Sequence, residues 1–221
     1  MTLQDLIDRF RVLAGDKSQP YLWGDDDVTR WLNDAQRQAC IRGRLIREDD
    51  STAICRIPMQ AGKQTYKLHP KAYELINLRF VGASSRTRTA KLVSREWLDN
   101  HCPDWRDNPN PPEMVIQDDT TIRIVGVPVI GETLRLECYR LPLEDMSQCD
   151  DEPEIHEAHH EHLVQWALHK AFSVVDADGF DAKRSAQAED EFTRYFGLMP
   201  DADLRRKTRE DVVHHNYGYL A

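Results

Sequence analysis

The residues best suited to chemistry in this chain lie together at His156-Glu157-Ala158-His159-His160. This spacing satisfies H-E-x-x-H. On a helix it sets two imidazoles on one face, with a glutamate beside them as general base for a zinc-bound water. A catalytic zinc also needs a third protein ligand. One zinc-protease pattern would place Gly and His where Leu163 and Trp166 stand. Another would need a ligand from a following helix, where this chain offers only Asp176, Asp178 or Asp181 in an expected turn. The expectation is therefore a solvated helix start, with no catalytic residue and no metal. A zinc-dependent hydrolase using His156, Glu157 and His160 is kept as the lesser alternative. The run Asp176-Ala177-Asp178-Gly179-Phe180-Asp181 has the flavour of a calcium loop. The EF-hand positions for Asp and the bidentate Glu hold Val174 and Ser185, so it reads as an interhelical turn. Neither a Gly-rich phosphate loop nor a nucleophile elbow is present, and no cofactor is implied.

Five cysteines, Cys40, Cys55, Cys102, Cys138 and Cys149, form no CxxC pair. They read as free thiols in a reducing compartment. Two short stretches are basic. The small-residue run 82–91 carries Arg86, Arg88 and Lys91, and is expected to be an exposed loop for subunit or tail contacts. The tail carries Arg205, Arg206, Lys207 and Arg209. Neither stretch is interleaved with aromatics that would stack on bases, so an acidic protein surface is the expected partner. The tail then runs through Val212 and Val213 to Tyr217, Tyr219 and Leu220. These side chains would be sticky if solvated and are suited to anchoring in a neighbour.

The elements that carry these groups follow from periodicity. Leu3, Leu6, Ile7, Phe10 and Leu13 recur at helical spacing, with Thr2 and Asp5 as a capping box and Gly15 as the stop. A second helix opens on Asp25-Asp26-Asp27, which suits the positive end of the helix dipole, and fades near Ile46. From residue 51 the period becomes two. Ala53, Cys55 and Ile57 predict a strand closed by Pro58, then Tyr66 and Leu68 a second, and Ile76, Leu78 and Phe80 a third. Ser94 caps a short helix, Met114 and Ile116 form another strand, and Ile122 to Cys138 predict a hairpin around Gly126 to Gly131. Helical spacing returns at Leu163 to Val175 and at Ala188 to Phe196, with Gly197 as the closing cap.

The expected fold is α+β, mainly α. N-terminal helices (1–50) and C-terminal helices (143–203) form one helical bundle, a small antiparallel β domain (51–142) is inserted between them, and an extended C-terminal tail (204–221) follows.

The 221 residues carry 29 Lys+Arg and 38 Asp+Glu, a net charge of −9, with 40% hydrophobic residues. This is too apolar for a disordered chain and too acidic for a DNA-coating protein. No apolar run is long enough to span a membrane, and residues 1–5 show no basic or apolar stretch, so no secretion signal is expected there. The charge is uneven. Residues 143–203 hold 4 basic and 16 acidic side chains, a net of −12, while residues 51–142 hold 13 and 10, a net of +3.

The layout resembles the head-to-tail adaptor (connector or neck) proteins of tailed bacteriophages. The likeness runs from Leu22-Trp23-Gly24-Asp25-Asp26-Asp27-Val28 through Trp31-Leu32-Asn33-Asp34-Ala35-Gln36. It continues at Pro111-Pro112, at Ile122-Arg123-Ile124 and at Leu134 to Pro142. It resumes at His162 to Leu168 and ends at Ala188, Phe192 and Gly197, with the tail after Leu204 least matched. The resemblance implies a structural virion protein of the neck, assembled in the bacterial cytoplasm. It implies a ring, typically of twelve copies, that binds the portal above through the tail and a nozzle or tail protein below. Double-stranded DNA would pass through the lumen without specific binding. A tail terminator or tube subunit is the nearer alternative.

Overall fold

The computed structural model describes residues 1–82, 87–174 and 179–200. Six helices are present among them: α1 (Leu3–Ala14), α2 (Asp25–Gly43), α3 (Thr52–Cys55), α4 (Arg95–His101), α5 (His160–Ser173) and α6 (Ala182–Phe196). The strands are β1 (Arg47–Glu48), β2 (Arg56–Pro58), β3 (Thr65–Lys67), β4 (Ala72–Val81), β5 (Thr87–Thr89), β6 (Lys91–Leu92), β7 (Met114–Gln117), β8 (Thr121–Val125) and β9 (Thr133–Arg140). The fold class is α+β. The chain divides into two compact units, residues 1–47 with 139–200, and residues 48–138. Among the described residues no helix is long and apolar enough to cross a membrane.

In the first unit α5 packs on α6, α2 and α1. One hydrophobic core joins all four helices, with Phe10, Leu32, Leu163, Ala167 and Phe192 fully buried. Local chemistry sets the helix ends. Thr2 accepts the Asp5 N–H while Asp5 accepts the Thr2 N–H, completing the capping box. Gly15 closes α1 at φ +82°, a conformation that favours glycine. No side chain caps α2 at Gly24, and Asp25, Asp26 and Asp27 supply negative charge at that end instead. Arg11 pins the link between α1 and α2. It reaches the Asp16 carboxylate (2.6 Å), the Trp23 carbonyl (3.0 Å) and Asp25, and its guanidinium lies 3.6 Å over the Tyr21 ring.

The connection that leaves β9, residues 141–156, has no helix or strand, yet it is held closely. Buried Asn33 donates to the Met146 carbonyl (2.9 Å) and accepts the Met146 N–H (2.8 Å). The Leu3 N–H donates to the Asp151 carbonyl (2.7 Å), and the Glu154 N–H to the Gln36 side chain (2.6 Å). Asp151 accepts the N–H groups of Ser147 and Gln148, which hold its carboxyl below the usual range. The five cysteines are free thiols. Burial pushes the Cys40 thiol up to about 12, with the Glu154 carboxylate adding to the rise.

The second unit holds two sheets. One has the order β1-β9-β4-β5 with β2 also on β9, and the other has the order β3-β8-β7-β6. Several expectations are corrected here. Residues 52–55 form a helical turn, because Ile54 and Cys55 are adjacent and both buried, which strand alternation forbids. β8 and β9 do not form a hairpin. β8 pairs with β7 and β3, and β9 belongs to the other sheet. The stretch 82–91 is not one loop, since β5 folds back antiparallel on β4. β6 runs parallel to β7, so the expected antiparallel sheet is mixed. α2 stops at Gly43, short of Ile46, and α5 at Ser173. Val175 and residues 176–178 of the expected turn lie outside the described residues. Within β4 the alternation slips: Leu75 and Leu78 are both buried and Ile76 is exposed. The Gln117 side chain satisfies the backbone there, accepting the Leu75 N–H (3.1 Å) and donating to the Tyr73 carbonyl (3.0 Å).

The unit boundaries also redraw the charge. Glu48, Asp49 and Asp50 fall in the β unit and Arg140 in the helical unit. The helical unit then holds 13 basic and 21 acidic residues, a net of −8, and the β unit 12 and 13, a net of −1. The β unit is therefore near neutral as a whole, not positive.

Candidate functional site

The H-E-x-x-H residues do not share a helix face. Glu157–His159 form a single 3-10 turn, and α5 starts only at His160. The His160 side chain is buried, with Nε2 2.9 Å from the Ile155 carbonyl and Nδ1 3.1 Å from the Met1 nitrogen. Both ring nitrogens are thus engaged. His156 Nδ1 accepts the Ala158 N–H (3.1 Å) and caps the turn. Among the described residues no group of three or more His, Cys, Asp or Glu stands where it would hold a metal ion.

The other two histidines of the run, His159 and His162, pack on α6. His162 stacks on Tyr195 with ring centroids 3.5 Å apart, and His159 Nδ1 lies 3.1 Å from the Tyr195 hydroxyl. That hydroxyl donates to the Ala158 carbonyl (3.2 Å). Burial lowers the His159 pKa from 6.5, and the neighbouring imidazoles of His156, His162 and His160 lower it further. The charged form is therefore disfavoured in the fold. Above pH 6.5 this group takes nothing from stability. As pH falls from 6.5 towards the lowered folded value, the unfolded chain binds the proton first and stability drops. The urea midpoint should decline through that window in the wild type and decline less in His159→Gln.

Of the basic residues expected in the loop, the described Arg88 and Lys91 do not form one outward patch. Arg88 donates to both carboxylate oxygens of Glu132 (2.8 and 2.6 Å) and to the Pro112 carbonyl (3.0 Å), so it is spent inside its unit. The Lys91 ammonium lies 5.0 Å over Trp97, which stacks on His101. Arg86 lies outside the described residues, as do the tail residues Arg205, Arg206, Lys207, Arg209, Tyr217, Tyr219 and Leu220.

A different basic group is assembled on the open face of the five-stranded sheet. Arg56 and Arg135 are direct cross-strand partners of β2 and β9, while Ile57 and Leu134 beside them turn to the core. Arg135 lines two shallow depressions. One, of about 230 Å³, also holds Arg79, Asn77, Thr87, Asp49 and Glu137. The other, of about 240 Å³, holds Arg56, Thr133 and Gly131. Arg79 and Arg135 are exposed and have no ion-pair partner among the described residues. Arg56 has only a long contact to Asp50, at 3.7 Å. Like charges placed directly opposite on adjacent strands repel each other, so this arrangement costs the isolated unit stability. The outward phase of Arg135 is visible in Leu134-Arg135-Leu136-Glu137-Cys138, but its pairing with Arg56 depends on register.

The connection 143–154 presents charge of the opposite sign. Glu144, Asp150 and Glu152 are exposed and unpaired among the described residues. Asp145 and Glu154 are bound internally to Arg37 and Arg140. The two surfaces lie on different units, each with charged groups that its own unit leaves unmatched.

A family model described as SU10 adaptor protein matches residues 1–214, reaching further into the tail than the resemblance did. A search of curated proteins returned no match.

Proposed function

We propose a role for this chain from the fact that it belongs to the SU10 adaptor protein family, a family of phage head-to-tail adaptors. It is a structural adaptor of the virion neck that forms a ring, of twelve copies, between the portal and the tail. The observation that carries this reading is the family match over residues 1–214. The four helices α1, α2, α5 and α6 are read as the bundle that builds the ring, with the β unit inserted between α2 and α5. A net charge of −9 per copy brings on the order of a hundred negative charges into a twelve-fold ring, which favours passage of DNA without retention. The tail after Leu204 is the portal anchor, its arginines meeting acidic groups and Tyr217, Tyr219 and Leu220 filling apolar pockets.

The buried, doubly bonded His160 disfavours the zinc hydrolase. The tail terminator and tube alternatives differ in ring order, since tube rings are usually six-fold. The test is to incubate purified chain with portal rings, weigh the assembly and image it. A twelve-copy ring seated on the portal is expected, and deletion of residues 204–221 should weaken docking by about tenfold or more, the scale of losing two anchors. No binding to portal rings under any condition sinks the reading, and unchanged docking by the truncated chain rejects the anchor.

A further inference from the structure

We propose that the open face of the five-stranded sheet docks the acidic connection 143–154 of a second copy of this chain. The inference rests on the ring reading and names the contact that would close the ring. A head-to-tail ring needs two different, complementary surfaces on every copy. The sheet face offers Arg79 and Arg135 without partners, with Arg56 alongside in an unfavourable cross-strand pair. The connection offers Glu144, Asp150 and Glu152, all exposed and unpaired among the described residues. Docking would relieve the repulsion on the sheet face and give the carboxylates of the connection cationic partners.

The match extends to detail. The sheet face is mixed in sign, with Asp49 and Glu137 lining the same depression as Arg79 and Arg135. The acidic side is mixed too, with the partly exposed Arg37 beside Asp145. A uniformly negative phosphate backbone fits such a face poorly, because those two carboxylates would repel it. A protein surface of alternating sign fits it well. The acidic side is also held in place in the free chain. The Met146 backbone is locked by Asn33, and Asp151 by Leu3, so little ordering remains to be done on contact.

Two full-length variants test this contact. One carries Arg79→Glu with Arg135→Glu, and the other carries Glu144→Lys, Asp150→Lys and Glu152→Lys. Each is checked for wild-type circular dichroism, with Arg135→Gln as a milder variant if a reversal unfolds. Self-association is read by mass over a concentration series at low and high salt. Each reversed variant alone should associate about tenfold or more weakly than wild type, as expected for close interfacial charges. An equimolar mixture should assemble again, because the acidic connection of one variant meets the intact sheet face of the other, and the two reversed surfaces also match. Arg135→Gln should be weakened less than the double reversal. If either reversed variant assembles like wild type, or the mixture fails to recover, the contact is wrong while the ring stands. If the reversed sheet face changes only retention of duplex DNA, the face meets phosphate and the proposal falls. Wild type that stays monomeric at every concentration overturns this contact as a self-association surface, while the ring reading is decided separately by assembly on portal rings.

Discussion

Replacing Arg11 by alanine should destabilise the helical unit by about 3–5 kcal/mol, the range for removing one member of a buried ion pair. The side chains of Arg11 and Asp16 are each only 7% exposed. The truncation leaves the Asp16 carboxylate in the interior with backbone N–H groups of Leu22 and Trp23 and no cation. It also frees the Trp23 carbonyl and uncovers Tyr21. Trp23 stands edge-on to both Phe10 and Phe172, so loosening its backbone reaches the core of the unit. Two controls separate charge from packing. Asp16→Asn added to Arg11→Ala should recover part of the loss, because the stranded charge is gone. Asp25→Ala should cost under about 1 kcal/mol, since that carboxylate is 65% exposed and screened by water. Urea unfolding followed by tryptophan fluorescence measures all three. A loss under about 1 kcal/mol for Arg11→Ala would mean that the link between α1 and α2 is held by apolar packing alone.

Both ends of α1 and the start of α2 were legible because their chemistry is local, while the last turns of α2 and α5, which carry no comparable stop signal, were overrun. Thr2, Asp5 and Gly15 determine the limits of α1 within a few residues of themselves, and the carboxylates at 25–27 mark the start of α2. Strand partners were not legible, because alternation says which side chains turn inward and nothing about the neighbour. Ile122 and Ile124 on β8 and Leu134 and Leu136 on β9 alternate as a hairpin would, yet they sit in different sheets. At 53–57 the window was too short to tell a helical turn followed by a strand from one strand. Gln117 shows a further limit, since a side chain that repairs the backbone of β4 from 42 residues away leaves no trace in local pattern.

The site was half legible for related reasons. H-E-x-x-H is a statement about spacing, and it describes a metal site only if both imidazoles project from one helix. Here the first caps a turn and the second is buried against the carbonyl of Ile155. Net charge by segment misled in another way. Moving four charged residues across two boundaries changed the β unit from +3 to −1. What survives is finer than a total: three arginines on one sheet face within a unit that is neutral as a whole. An interface responds to such local placement, and the rest of the unit adds little beyond long-range steering.

Asn33→Ala is the variant that should couple stability to assembly. The Asn33 side chain is buried and meets the Met146 backbone as an adjacent strand would, one donor and one acceptor at 2.9 and 2.8 Å. Alanine leaves both backbone groups inside without partners, at about 1–3 kcal/mol each, so a loss of about 3 kcal/mol is expected. Met146 belongs to the core of the helical unit, and its release would loosen the chain from Leu143 to Glu154. Hydrogen exchange at the Met146 amide should rise far more than at α5 amides, which keep their helical bonds. The carboxylates of Glu144, Asp150 and Glu152 would remain, so the net charge of the chain is unchanged, but their positions would scatter. Self-association should therefore weaken even at temperatures where the variant is fully folded, through the added cost of ordering the connection on contact. Wild-type association at such temperatures would show that copies meet elsewhere on the chain. Weakened association with unchanged circular dichroism would show that the buried amide serves the contact by holding its acidic side ready.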